Sequence, residues 1–220
     1  MFKIVSNTLP SPLPPPHATD IQNMKLWPSI LSLLSSPEPS LRKGAAWVCG
    51  TALQNNIKAQ RAFLDNDGLR HVLTLLRDDP DKGVRSKAQY AVSGAIKHFP
   101  EALEAFAGMG GYDVLGEVIT RADDPPTLRK IIFLYNTLMA EDPATAPVLR
   151  DNGTVAKLEE VLGKFGEDED MVEKTVRTLH TLLTQTSTPA PATLAASLRT
   201  LKAQHGDLGL TEKEWREFGV

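Results

Sequence analysis

The sequence predicts an all-α fold: a right-handed superhelical solenoid of about four repeats of 42–44 residues. Two markers recurring at one period carry that reading, together with apolar residues that step by three and four. The first marker opens a helix. LRKGAAWVCGTALQNN, VRSKAQYAVSGAIKHFP, LRKIIFLYNTLMAEDP and VEKTVRTLHTLL begin at Leu41, Val84, Leu128 and Val172, 43, 44 and 44 residues apart. The second marker is a glycine turn. DNDGL, GMGGY and DNGTV place Gly68, Gly111 and Gly153 43 and 42 residues apart, each just before an apolar helix. A period of about 40–47 residues with two or three helices per unit is the armadillo or HEAT pattern. Such a unit has more apolar surface than it can bury alone, so neighbours stack into one continuous core.

The elements follow in chain order. Residues 1–20 hold Pro10, Pro12, Pro14, Pro15 and Pro16. Prolines remove backbone donors and favour extended chain, so this stretch reads as a disordered proline-rich leader, or else as a short ligand for another domain. The armadillo-like domain is expected over 21–188. Its first face is Leu26, Ile30, Leu33 and Leu34, and Pro37 and Pro39 stop one helix and start the next. The turn glycines are expected to follow each middle helix and to supply the left-handed residue that ends it and turns the chain. Ala45, Ala88 and Ile132 share one repeat position; Trp47, Tyr90 and Leu134 follow two residues later. All are assigned to the inter-repeat core, with Ala46, Gly50, Ala91 and Gly94 allowing close helix approach. Residues 189–220 break the repeat and are read as capping helices. TLAASLRTLKAQ covers the last repeat, and LTEKEWREF opens with Thr211 as N-cap and Glu214 closing a capping box.

Several function classes fall away. The net charge is −3 and no basic stripe is visible, which argues against nucleic acid. No apolar run approaches the length of a membrane span, and the apolar part of MFKIVSNTLPSPLPPP is too short for a secretion signal. The single cysteine, Cys49, excludes an internal disulfide and suits a cytoplasmic protein. Nothing reads as an enzyme. His17, His71, His98, His180 and His205 have no metal spacing, and Cys49 has no histidine nearby to act as a base. GMGG at 108–111 lacks the GK[ST] of a phosphate loop, and GEDEDM at 166–171 lacks calcium-loop spacing. Neither metal nor cofactor is expected.

What remains is a surface. Arg42, Arg85 and Arg129 recur in the first turn of successive helices, with Lys43, Lys87 and Lys130 beside them. They tie adjacent repeats together, or they form a row of cations aimed at an acidic partner. Both readings stay open at the level of sequence.

The segments NMKLWPSILSLLSS, LRKGAAWVCGTALQNNIKAQRAFLDNDGL and VRSKAQYAVSGAIKHFPEALEAF carry a resemblance. Through KLWPxxL, GTAxQNN and KAxYAxSxxI the chain resembles the armadillo-type nucleotide exchange factors of the 70-kDa heat-shock chaperone, in their cytosolic fungal form. The likeness runs from Ala18 to about Thr186 and extends to LGLTEKEW. It implies a monomer that wraps one lobe of the chaperone ATPase domain in its concave groove, displaces the other lobe and lets ADP leave. It also implies a binding site: Arg129, Ala18 with the following TDIQN, Asn55 and Asn56, then Lys87 and Tyr90. Arg85 and Arg42 join as members of the arginine row. The chain departs from the family where MFKIVSNTLPSPLPPP stands in place of a first helical layer and a flexible N-terminal region. An exposed apolar edge at Leu26, Trp27 and Ile30 is therefore expected, since terminal repeats need polar caps. The alternative is an armadillo scaffold or cargo carrier with an importin-like peptide groove. That class ladders Trp with Asn four residues on, whereas Trp47 is followed by Thr51.

Overall fold

A computed structural model describes residues 18–220, with side chains from Ile21 onward. The expected leader lies outside the described residues except for its last three, which open the first helix. Four helical triplets follow one another. They are α1 (Ala18–Asn23), α2 (Trp27–Leu33) and α3 (Pro39–Leu53); α4 (Ile57–Asp65), α5 (Gly68–Asp78) and α6 (Lys82–Ile96); α7 (Pro100–Gly108), α8 (Gly111–Arg121) and α9 (Pro125–Glu141); and α10 (Thr145–Asp151), α11 (Thr154–Lys164) and α12 (Glu169–Gln185). The third helices are the longest and start 43, 43 and 44 residues apart. Two further helices, α13 (Ala192–His205) and α14 (Glu212–Glu217), close the chain.

Local chemistry sets these boundaries. Pro39, Pro100 and Pro125 stand at the first position of α3, α7 and α9, where a missing N–H costs nothing. Asn56, Asp81 and Asp168 cap α4, α6 and α12 by accepting from the N–H of Ala59, Val84 and Met171. Thr211 and Glu214 form the reciprocal capping box of α14.

The turn glycines need a correction. They follow the first helix of a triplet, not the middle one, and Gly68 and Gly111 are not left-handed. The left-handed residues are Asp67 (φ 59°), Gly110 (φ 72°) and Gly153 (φ 69°). Gly68 and Gly111 sit one residue later for a packing reason. A Cβ there would lie 2.4 Å and 2.3 Å from the rings of Phe63 and Phe106. At the third turn the left-handed glycine remains, and Thr154 takes the next place. This explains why the last glycine step is 42 residues while the middle helices start 43 apart.

One continuous core runs from Ile21 to Phe218. The expected apolar edge is corrected at its centre. Trp27 is buried, 5.4 Å from the Phe63 ring between centroids, and Leu26 and Ile30 pack partly against the core. The exposed apolar side chains of the first triplet's α2 and the start of α3 are instead Leu33 and Leu41.

Cys49 is fully enclosed in α3, and loss of water pushes its thiol up to about 12. Alkylation by iodoacetamide at pH 8 is therefore expected to proceed only as the chain unfolds. Rapid labelling of the native protein would contradict a closed α3.

Candidate groove on the third helices

The third helices α3, α6, α9 and α12 stand side by side, and what they present between them is the candidate site. Counting from each helix start brings Trp47, Tyr90 and Phe133 to one equivalent place, 43 residues apart. Trp47 is 57% and Phe133 52% exposed, and Tyr90 is partly exposed, so the row is a surface ladder. This overturns the core assignment of Trp47. It also replaces Leu134, which is buried, with Phe133 as the third rung.

The rungs are not evenly spaced. A Cβ on Gly50 would lie 2.3 Å from Tyr90 Cδ1, and one on Gly94 would meet Leu53 and Gln54, so α3 and α6 interlock closely. Ser93 and Thr137 hold the matching places between α6 and α9. The close approach that the glycines allow between α3 and α6 is not repeated there. A cleft of about 550 Å³ opens there, lined by Tyr90, Ser93, Lys97, Arg129, Lys130 and Phe133 among others. At the next junction Asn136 and Thr181 meet in a 2.7 Å hydrogen bond, with the threonine donating, and the helices close again.

The arginines resolve into inter-repeat ties. Arg42 donates to both oxygens of Asp79, at 2.6 and 3.0 Å, and to the carbonyls of Ser36 and Pro37. Arg85 donates to Asp123 at 2.5 Å and to the carbonyls of Asp79 and Pro80. Arg129 ion-pairs with Asp168 and, at 3.3 Å, with Asp170. Each arginine thus grips the loop that opens the next third helix. The hydrogen bond from Arg129 holds the Asp168 carboxyl below the usual carboxylate range. Arg42 and Arg85 are the fourth residues of their helices but Arg129 is the fifth. That extra step turns it about 100° further round the helix. Its side chain is accordingly 29% exposed against 12% and 6% for the other two, and it alone of the three lines the cleft.

The lysines behave differently. Lys87 Nζ lies 4.8 Å from the centroid of Trp47, and Lys97 Nζ lies 5.6 Å from that of Phe133. Neither of them, nor Lys130, has an acidic partner within ion-pair distance among the described residues. Of the expected site residues the structure therefore brings Tyr90 and Arg129 together in the cleft, and it sets Lys87, one turn before Tyr90 on α6, over Trp47. It places Asn55 and Asn56 at the turn after α3, Asn55 left-handed at φ 52° and Asn56 capping α4. Ala18 starts α1, and its side chain lies outside the described ones. Phe133 and Lys97 were missed. The 43-residue step from Tyr90 would have found the former.

Among the described residues no cluster of three or more histidine, cysteine, aspartate or glutamate side chains could hold a metal. No helix there is long and apolar enough to cross a membrane. Residues 17–165, from α1 to the end of α11 with all three rungs, match the SIL1/FES1/HPBP1 C-terminal domain. The chain belongs to that family. Among its curated relatives is the Hsp70 nucleotide exchange factor FES1 of Mycosarcoma maydis, 42% identical over 58% of this chain and 32% of that one. Another is the fes1 factor of Schizosaccharomyces pombe, 29% identical over 92% of this chain and 72% of that one. The chain thus spans about a third of the first relative's length. A designed armadillo repeat protein solved in complex with the peptide (KR)4 superposes with a TM-score of 0.68 at 13% identity, covering 92% of this chain and 82% of that one. Such a likeness bears on the fold alone, and it agrees with the solenoid expected from the family and from the repeat.

Proposed function

We propose that this chain is a nucleotide exchange factor for a 70-kDa heat-shock chaperone, and that the groove on the third helices seats the chaperone's ATPase domain. The observation that carries the reading is the ladder of Trp47, Tyr90 and Phe133 with its unpaired lysines, set in a member of this family. Half-exposed aromatic rings are costly to leave in water, and aromatic residues anchor protein interfaces. The protein does no covalent chemistry in this reading and needs no cofactor. It works as a cytoplasmic monomer that binds the open ATPase domain better than the closed one. A thousandfold shift of that equilibrium requires about 4 kcal/mol of differential affinity. A stiff groove serves this end, since a wedge that yields cannot displace a lobe. The arginine ties and the continuous core supply the stiffness.

The test is release of a fluorescent ADP analogue from a cytosolic 70-kDa heat-shock chaperone. Release is expected to accelerate with the dose of this protein. Binding to the ATPase domain without acceleration would reduce the assignment to a chaperone-binding module. No binding would return the chain to an armadillo scaffold for some other partner.

A further inference from the structure

The groove carries a charge pattern opposite in sign to the chain as a whole, which has a net charge of −3. The arginines that the sequence offers as its cations are consumed by the ties described above. The available cations are lysines, and two of them rest over rungs of the ladder. An ammonium over an exposed ring is held weakly and stays ready for a stronger partner. Lys87 and Lys130 sit at equivalent places on the neighbouring helices α6 and α9, and Lys130 lines the cleft between them. Lys87 and Lys97 lie ten residues apart on α6 and its C-cap, about 15 Å along the axis.

The fourth place in the row shows how such a cation is satisfied. Arg177 stands on α12 where Phe133 stands on α9. It is held from within the chain, ion-paired at 3.0 Å with Glu214 of α14, and it also donates to the carbonyl of Gly209. The last position of the row is thus closed by a carboxylate beside Trp215 and Phe218, while the three rungs before it are open.

We infer that the surface seated on the open rungs is acidic. It presents carboxylates to Lys87, Lys97 and Lys130, spread over two neighbouring helices and about 15 Å along α6, with apolar groups between them against Trp47, Tyr90 and Phe133. The inference rests on the proposed exchange function for the identity of the partner, the chaperone ATPase domain. It adds that local charge, and not the net charge of the chain, steers the encounter. Screening by salt then slows association.

Trp47 reports on the groove directly, because Trp27 and Trp215 are buried. Stopped-flow binding of the ATPase domain, read by tryptophan emission, should give an association rate that falls steeply with ionic strength. The double variant Lys87→Glu/Lys130→Glu should lower that rate at least tenfold at low salt and flatten its salt dependence. Lys58→Glu/Arg70→Glu changes net charge equally on the exposed sides of α4 and α5, and should leave the rate within about twofold. If binding persists and the two pairs behave alike, the acidic-patch assignment is wrong while the exchange reading stands. If the wild-type protein does not bind the ATPase domain, the exchange reading fails, and poly-L-glutamate becomes the probe. A change in Trp47 emission that vanishes in Lys87→Glu/Lys130→Glu would keep the groove acid-selective. No change would overturn that too.

Discussion

Asp79→Ala is expected to destabilise the protein by about 1–3 kcal/mol, the cost of removing one partner from a hydrogen-bonded pair whose carboxylate is buried. The Asp79 side chain is 2% exposed. Its carboxylate takes both the Nε and Nη2 donors of Arg42 and caps the N–H of Asp81, while its carbonyl accepts from Arg85. One residue thus joins the first and second triplets and begins the tie to the third. The variant leaves a partly buried guanidinium with only two carbonyls as partners. The loss should be local, because a solenoid's stability is a sum of repeat terms and nearest-neighbour junctions. The first triplet should therefore open before the rest. In urea, tryptophan emission, which includes buried Trp27, should change ahead of the helical signal by circular dichroism. Replacing both partners, Arg42→Met with Asp79→Leu, should recover more than half of the loss, since apolar side chains of similar volume often substitute well for a buried pair. Coincident wild-type-like transitions in Asp79→Ala would show that the tie contributes nothing.

The repeat itself was legible because turn chemistry and tie residues are local and recur. The left-handed residues Asp67, Gly110 and Gly153 before α5, α8 and α11 keep the 43-residue period, an arginine recurs in the first turn of α3, α6 and α9, and proline opens α3 and α9. The two roles open to the arginines do not separate in sequence. Whether Arg85 meets solvent or Asp123 depends on a loop 38 residues away, and only the superhelical stacking brings the two together. A glycine demanded by a close ring and one demanded by a positive φ look alike in sequence, so the turn is legible there but its reason is not. Gly110 and Gly111 show both demands side by side. Trp27 was expected at an open edge, yet Phe63 from the next triplet reaches back to cover it, a contact that no periodicity encodes. Trp47 was placed in the core because large apolar side chains usually go there. An apolar rung on a binding face carries the same sequence signature.

The register of the ladder is the point on which the site depends, and adjacent residues test it. Following the arginines, which step by 44 from Arg85 to Arg129, leads from Tyr90 to Leu134; following the helix starts leads to Phe133. The two residues face opposite worlds, since Leu134 is 1% exposed and Phe133 is 52% exposed. Phe133→Ser should weaken binding of the chaperone ATPase domain by about 2 kcal/mol or more, roughly thirtyfold, because a central aromatic anchor is lost from a desolvated contact. Its unfolding midpoint should stay near that of the wild type, as about half of the ring meets solvent and the Lys97 ammonium lies over it. Leu134→Ala should do the reverse. It opens a cavity between buried Ile131 and Leu138 and should cost about 2–5 kcal/mol of stability, while the folded fraction binds normally. Calorimetric titration and urea unfolding of the two variants together separate the roles. If Leu134→Ala loses affinity at unchanged stability while Phe133→Ser binds like the wild type, the third rung does not belong to the contact, and the groove must be redrawn around α3 and α6 alone.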